Sequence, residues 1–155
     1  MNINDYLLKT SENLILEPQV ECLAADPKFI PKRAHDTDAG ADLVCTTNEV
    51  IAPGEKKLVD TGVAIKIPRG YGGLVMPRSS QRNKRIHSFG AGLIDSAYRG
   101  NIKVVLQNDS TEDYVIEAGV TKIGQLVIIP VMLCSFVDVW NDTERGTGGF
   151  GSTGA

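Results

Sequence analysis

The chain has 155 residues and a mass of 16.7 kDa, a length that supports one hydrophobic core and one domain without disulfide staples. With 16 Lys+Arg against 19 Asp+Glu, a net charge of −3, and 6% aromatic residues, it lacks both the basic surface that attracts nucleic-acid polymers and the rings that stack on their bases. Apolar residues make up 42%, which excludes a disordered chain; the longest apolar run, residues 126–137, is broken by Pro130 and Ser135 and falls short of the ~20 residues a membrane helix needs.

Residues 1–19 read as an N-terminal arm, where Tyr6, Leu7, Leu8 and Leu14 predict a short amphipathic helix ended by Pro18. Residues 20–140 read as the core, built of strands and turns. The stretches 41–46, 63–68 and, more loosely, 102–106 alternate apolar and polar residues. Pro53-Gly54, Gly70, Gly72-Gly73 and Ala118-Gly119 punctuate them as turns. Short strands at this spacing predict an all-β sandwich or barrel. Cys22, Cys45 and Cys134 form no CxxC pair, and His35 and His87 are the only histidines. No zinc site is expected, and the cysteines read as buried, inert thiols. Three unpaired cysteines, with no basic or long apolar stretch at the start, lead to the expectation of an intracellular setting, the cytoplasm first, with a nuclear or virus-encoded protein as the alternative. Residues 141–155 are a polar, then glycine-rich tail holding Gly146, Gly148, Gly149, Gly151 and Gly154.

Four segments carry chemistry. The tail, Arg145-Gly-Thr-Gly-Gly-Phe-Gly-Ser-Thr-Gly154, contains a literal G-x-G-x-x-G, but no strand–helix unit can follow it, so it is no dinucleotide fingerprint. Glycine amides, two hydroxyls and an Arg fork still suit phosphate, and an isolated Phe150 suits stacking on a flat ligand. Met76-Pro-Arg78-Ser79-Ser80 reads as a strand running into a basic turn of phosphate-contact composition. In Gly90-Ala-Gly-Leu-Ile-Asp95-Ser-Ala-Tyr98-Arg-Gly100 a carboxylate at a strand edge is able to hold a water as general base. Asp36-Thr-Asp38-Ala-Gly40-Ala-Asp42 gathers three carboxylates suited to Mg²⁺, directly or through its waters.

In this order the segments resemble the trimeric dUTP pyrophosphatase (dUTPase) family. The match is close at Ala39-Gly-Ala-Asp-Leu43, Pro77-Arg-Ser79, Gly90 to Gly100 and Arg145 to Gly154, with Gly124-Gln-Leu-Val127 representing the fourth family motif. The resemblance implies a jelly-roll subunit and a homotrimer whose active sites are shared between chains, the tail acting as a lid. It implies Mg²⁺-dependent hydrolysis of dUTP to dUMP and pyrophosphate by water attack on the α-phosphorus, which keeps uracil out of DNA and supplies dUMP for dTMP synthesis. Asp95 would orient the water. Tyr98 would lie under the deoxyribose, and the backbone at Ala91, Gly92 and Leu93 would read the uracil edge. Arg78, Ser79, Ser80 and Gln125 would contact phosphates and the water network. Asp42 and Asp38 would hold Mg²⁺ through water. Arg145, Gly151, Ser152 and Thr153 would grip the terminal phosphates while Phe150 stacks on uracil.

The chain departs from the family at two places. Ser80-Gln-Arg82 stands where the second motif usually continues Gly-Leu-Ala, and Gly119-Val-Thr-Lys-Ile-Gly-Gln125 is longer by one residue than the usual fourth motif and lacks its Asp and Arg. A dCTP deaminase of the same fold is the alternative enzyme, but Arg99 occupies the place of its proton-shuttling Glu. A regulatory binding module on this scaffold is the alternative from another class.

Overall fold

The computed structural model describes residues 7–9, 14–16, 19–90 and 92–141. In chain order the strands are β1 (Leu7–Lys9), β2 (Leu14–Leu16), β3 (Glu21–Ala24), β4 (Ala41–Val44), β5 (Glu49–Ile51), β6 (Lys56–Lys66) and β7 (Tyr71–Met76). A short helix, α1 (Ser79–Asn83), precedes β8 (Ile86–Gly90), β9 (Leu93–Ile94), β10 (Asn101–Asn108), β11 (Tyr114–Ile116) and β12 (Lys122–Pro130). Two four-stranded sheets result, β3-β6-β10-β8 and β4-β12-β7-β9, with a small β5-β11 ribbon beside them. Every pairing among the described residues is antiparallel. From β6 to β10 the chain alternates between the two sheets, so the fold is an all-β, jelly-roll-like sandwich, as expected.

The predicted strands at 41–46, 63–68 and 102–106 all appear, with β6 longer and beginning at Lys56. Alternation sets their inward faces. Val59, Val63 and Ile65 on β6 and Ile102, Val104 and Leu106 on β10 meet Leu43, Val75, Ile94, Ile123 and Leu126 of the other sheet, all buried. Ile51 and Ile116 close one end from the ribbon. The register of β10 on β6 shifts from Asn101↔Ala64 to Lys103↔Asp60, which adds two residues to β6 around Gly62, at φ +67°. An even insertion keeps the odd-numbered residues of β6 facing inward.

Three expectations are corrected. Leu7–Lys9 pairs with Leu14–Leu16 as strands, not as a helix; an apolar pair, Leu7-Leu8, and an apolar triplet, Leu14-Ile15-Leu16, separated by polar residues including Ser11 and Asn13, are too short for a helical face. Cys45 is buried, and burial pushes its thiol up, but Cys22 and Cys134 are exposed. Cys22 lies on an edge strand and Cys134 beyond the last strand, so apolar sequence neighbours do not bury them. Third, Arg78 leads into a helical turn where a plain turn was expected. No described helix is long and apolar enough to cross a membrane.

One buried amide ties the ribbon to the core. Asn108, fully buried, donates to the carbonyls of Ile51 and Glu112, each at 2.7 Å, and accepts from Ser110 N–H and Oγ. Asn108→Ala strips the buried Ile51 carbonyl of this donor and leaves a cavity, while the Glu112 carbonyl keeps Ser110 Oγ. Urea unfolding at fixed protein concentration should show a loss of roughly 3 kcal/mol, and an unchanged midpoint would contradict this account.

Candidate active site

β12 lies between β4 and β7, and its register brings three chemistry-bearing segments together. Gln125 pairs with Asp42 on one side and with Met76 on the other. Asp42 is itself fixed by a backbone bridge to Lys32. Its carboxylate is nearly buried, at 13% exposure, and receives Arg78 Nε on Oδ1 at 2.8 Å and Lys122 Nζ on Oδ2 at 2.6 Å. Gln125 Nε2 donates to the Pro77 carbonyl at 3.0 Å, bracing the residue before Arg78. Gly40 makes room for that glutamine, because a Cβ there would collide with the Gln125 amide.

Beyond β7 the chain turns into α1 at Arg78. The departure at Gln81 has a local reason. Gln81 is buried, accepts the Arg78 N–H through Oε1 at 3.2 Å and donates through Nε2 to the Ile123 carbonyl at 3.0 Å. One side chain thus ties the phosphate-type turn to β12. Ser79 and Ser80 are exposed at the start of the helix, with Ser80 Oγ 3.5 Å from Arg78 Nη1. Arg78, Ser80, Gln81, Lys84, Tyr114, Thr121 and Lys122 line a hollow of about 260 Å³. Tyr114, half-buried at its edge, has its phenol pushed up by burial.

Asp95 and Tyr98 stand elsewhere. β9 pairs with β7 at Ile94↔Gly73, which sets Asp95 level with Gly72, whereas Gln125 is level with Met76. Four strand residues separate those levels, roughly 13 Å, and Arg78 lies two residues further on. Asp95 is exposed, and its carbonyl accepts the Tyr98 N–H in a tight turn. The Tyr98 hydroxyl donates to the Asn101 carbonyl at 3.0 Å, and a Cβ on Gly100 would run into the Tyr98 ring. Arg99 Nη1 donates to the Ser96 and Tyr98 carbonyls at 2.7 Å each, locking the turn. Gly92, at φ +85°, and Leu93 are exposed beside it.

Asp38 does not join Asp42. Its Oδ2 accepts the His35 N–H at 3.0 Å, which holds the carboxyl below its usual range, and its carbonyl accepts from Arg33. Among the described residues no cluster of three or more His, Cys, Asp or Glu side chains could hold a metal ion. Ala91, Arg145, Phe150, Gly151, Ser152 and Thr153 lie outside the described residues.

Sequence reasoning missed Gln81 and Lys122. A glutamine at the third position of a helical turn is half of a capping box, but Arg78 stands at the N-cap in place of Ser or Thr, so the sequence signal is incomplete. Gln81→Leu removes both of its bonds and leaves the Arg78 N–H and Ile123 carbonyl unsatisfied. The expected result is a loss of roughly 2 kcal/mol and faster hydrogen exchange at the Arg78 amide; unchanged protection there would contradict the tie.

The dUTPase family model matches residues 26–154. The chain is 46% identical over 135 residues to the deoxyuridine 5'-triphosphate nucleotidohydrolase of Cutibacterium acnes, covering 84% of this chain and 88% of that one. Among solved structures it resembles the dUTPase of Staphylococcus bacteriophage 80alpha with dUpNHpp, at 28% identity and a TM-score of 0.74, covering 90% and 100% of the two chains. It also resembles a mutant dUTPase of phage phi11 of S. aureus, described for its coordination of a structural Mg(II) ion, at 28% identity and a TM-score of 0.72, covering 80% of this chain and 98% of that one. With a family match across most of its length and a relative this similar over most of both chains, the chain belongs to the dUTPase family.

Proposed function

We propose that the chain hydrolyses dUTP to dUMP and pyrophosphate with Mg²⁺, at sites completed between the subunits of a homotrimer. The observation that carries this is a division within the chain. The phosphate-type groups Arg78, Ser79, Ser80 and Gln125 gather at one end of β7, and Asp95 with Tyr98 sits at the other. A water held by the Asp95 carboxylate attacks the α-phosphorus; the bond from that phosphorus to the α–β bridging oxygen breaks, and the water's proton passes to the carboxylate. The Arg78 Nε is spent on Asp42, which leaves its terminal nitrogens for the charge that builds on the phosphates. Tyr98, fixed at its hydroxyl and in its turn, offers one ring face to the deoxyribose. The exposed backbone at Gly92 and Leu93, with Ala91, reads the uracil edge.

Mg²⁺ belongs to the substrate in this scheme, entering on the triphosphate and offsetting its charge. Asp42 already holds a cation on each carboxylate oxygen, and the second lone pair of each oxygen is left to accept from a water of the metal. Arg145, Gly151, Ser152 and Thr153 grip the terminal phosphates and Phe150 covers the base, a role supported by the family match through residue 154.

Assembly is supported by the chain beyond β12. Residues 131–141 leave the sheets and hold Met132, Leu133, Phe136, Val137, Val139 and Trp140 exposed, Phe136 at 99% and Trp140 at 88%. An apolar run of this kind marks a protein–protein contact. A groove of about 560 Å³, lined by Ile30, Ile65, Tyr71, Leu126 and Ile128 with Gln19 and Arg33 beside them, is open on the same chain. Deamination of dCTP is disfavoured because the Arg99 guanidinium, bound to two turn carbonyls, is no proton shuttle.

Pyrophosphate release should be measured with dUTP, dTTP, dCTP and UTP in the presence of Mg²⁺. Only dUTP should turn over, and Asp95→Asn should lower kcat by roughly 10²–10⁴-fold at an unchanged melting temperature. Uracil products from dCTP, or near-normal turnover by the variant, would overturn the assignment.

A further inference from the structure

We infer that Lys122 is a positioning residue for the Arg78 guanidinium, acting through Asp42, and that a β-bulge in β12 places it there. The inference rests on the proposed triphosphate role of Arg78. Opposite β4, the pairs run Leu126↔Ala41, Gln125↔Asp42 and Gly124↔Leu43, but the next pair is Lys122↔Val44. Two residues of β12, Ile123 and Gly124, stand where one would do, and both are buried in succession. Side chains on a strand alternate faces, so residues 122 and 125, three apart, would point opposite ways on a regular strand. The extra residue reverses that. It brings Lys122 onto the face of β4 that carries Asp42 and Val44, where Gln125 already stands. A regular strand would put the apolar Ile123 across from Val44 instead.

The consequence lies in the geometry of the carboxylate. An Arg and a carboxylate left to themselves favour a two-bond fork, which engages two guanidinium nitrogens. Lys122 Nζ on Oδ2 removes one oxygen from that fork, and Arg78 reaches Oδ1 through Nε. Arg78 is therefore anchored by its inner nitrogen while its terminal nitrogens remain for an anion. Lys122 keeps the fork open without touching the ligand. Gln125 bracing Pro77 and Gln81 bracing the Arg78 N–H fix the backbone from which the guanidinium extends. Counted back from Gln125, Lys122 stands where the usual fourth motif has its Arg, so the cation is kept, and the extra residue of this motif lies before it, outside the bulge.

A double-mutant cycle on the full-length protein tests the inference, with the affinity for dUpNHpp in the presence of Mg²⁺ as readout alongside kcat/KM for dUTP. Lys122→Met, nearly isosteric and uncharged, should weaken dUpNHpp binding roughly tenfold in the native background. In an Arg78→Ala background the same change should cost about twofold or less, because there is no guanidinium left to misplace. Lys122→Arg, which keeps a cation on Oδ2, should stay close to wild type, and Lys122→Gln serves as the uncharged variant should Lys122→Met fail to fold. A purely stabilising ion pair would lower the melting temperature without this coupling. Equal losses in both backgrounds would overturn the inference, since Lys122 would then act on the ligand independently of Arg78. Failure of the unaltered protein to bind dUpNHpp or turn over dUTP would instead sink the substrate assignment beneath it.

Discussion

β12 is hydrogen-bonded along both edges, to β4 on one side and β7 on the other, and its register against each is set by the apolar residues it buries. Ile123 and Leu126 must face the core with Leu43 and Val75. Slipping β12 by one residue would expose that set and bury its polar neighbours, a change each buried side chain resists by ~1.5–3 kcal/mol. Core packing thereby fixes the site. With β12 held, Gln125 lies between Asp42 and Met76, its amide reaches the Pro77 carbonyl, and Arg78 begins its turn within reach of Asp42. The functional groups are placed by strands that bury their other faces, which keeps them rigid.

The same sheet separates the other half of the chemistry. β9 joins β7 near Gly73, so Asp95 and Tyr98 belong to the end of β7 away from Arg78. Nothing in a β-sandwich can fold that distance away, because strands do not bend back on themselves within a sheet. On the proposed function, a water held by Asp95 meets a triphosphate held by the Arg78 of another copy. The exposed apolar stretch at 131–141 and the open groove near Tyr71 provide surface for the association that such a site requires.

Alternation made β4, β6 and β10 legible in the sequence, since their inward residues recur at every second position and are bounded by glycine and proline turns. The motif residues were legible by composition: Arg78 with two serines, and Asp95 with Tyr98 beside glycines. The bulge was not. Nothing in Lys122-Ile-Gly-Gln125 announces that two residues will oppose one, because a bulge is decided by how both neighbouring strands seat against the core. The arm was misread because Leu7, Leu8 and Leu14 fit helical spacing by count, while Leu7-Leu8 and Leu14-Ile15-Leu16 are apolar runs short enough for strands. Cys22 and Cys134 looked buried from their neighbours because local apolarity carries no information about edge position. Gly40 and Gly100 were visible as motif glycines, yet their reason, space for Gln125 and for the Tyr98 ring, is a fact of packing.

Whether the site is shared between chains is tested most directly by mixing two inactive variants. Arg78→Ala lacks the proposed phosphate clamp and Asp95→Asn lacks the proposed water-holding carboxylate. Co-refolded in equal amounts, they form mixed assemblies in which some sites draw an intact Asp95 from one chain and an intact Arg78 from another. Random mixing should restore dUTP hydrolysis to about a quarter of the wild-type rate per chain. A mixture as inactive as its two components would contradict the account, because each site would then be built from a single chain and would always carry one lesion.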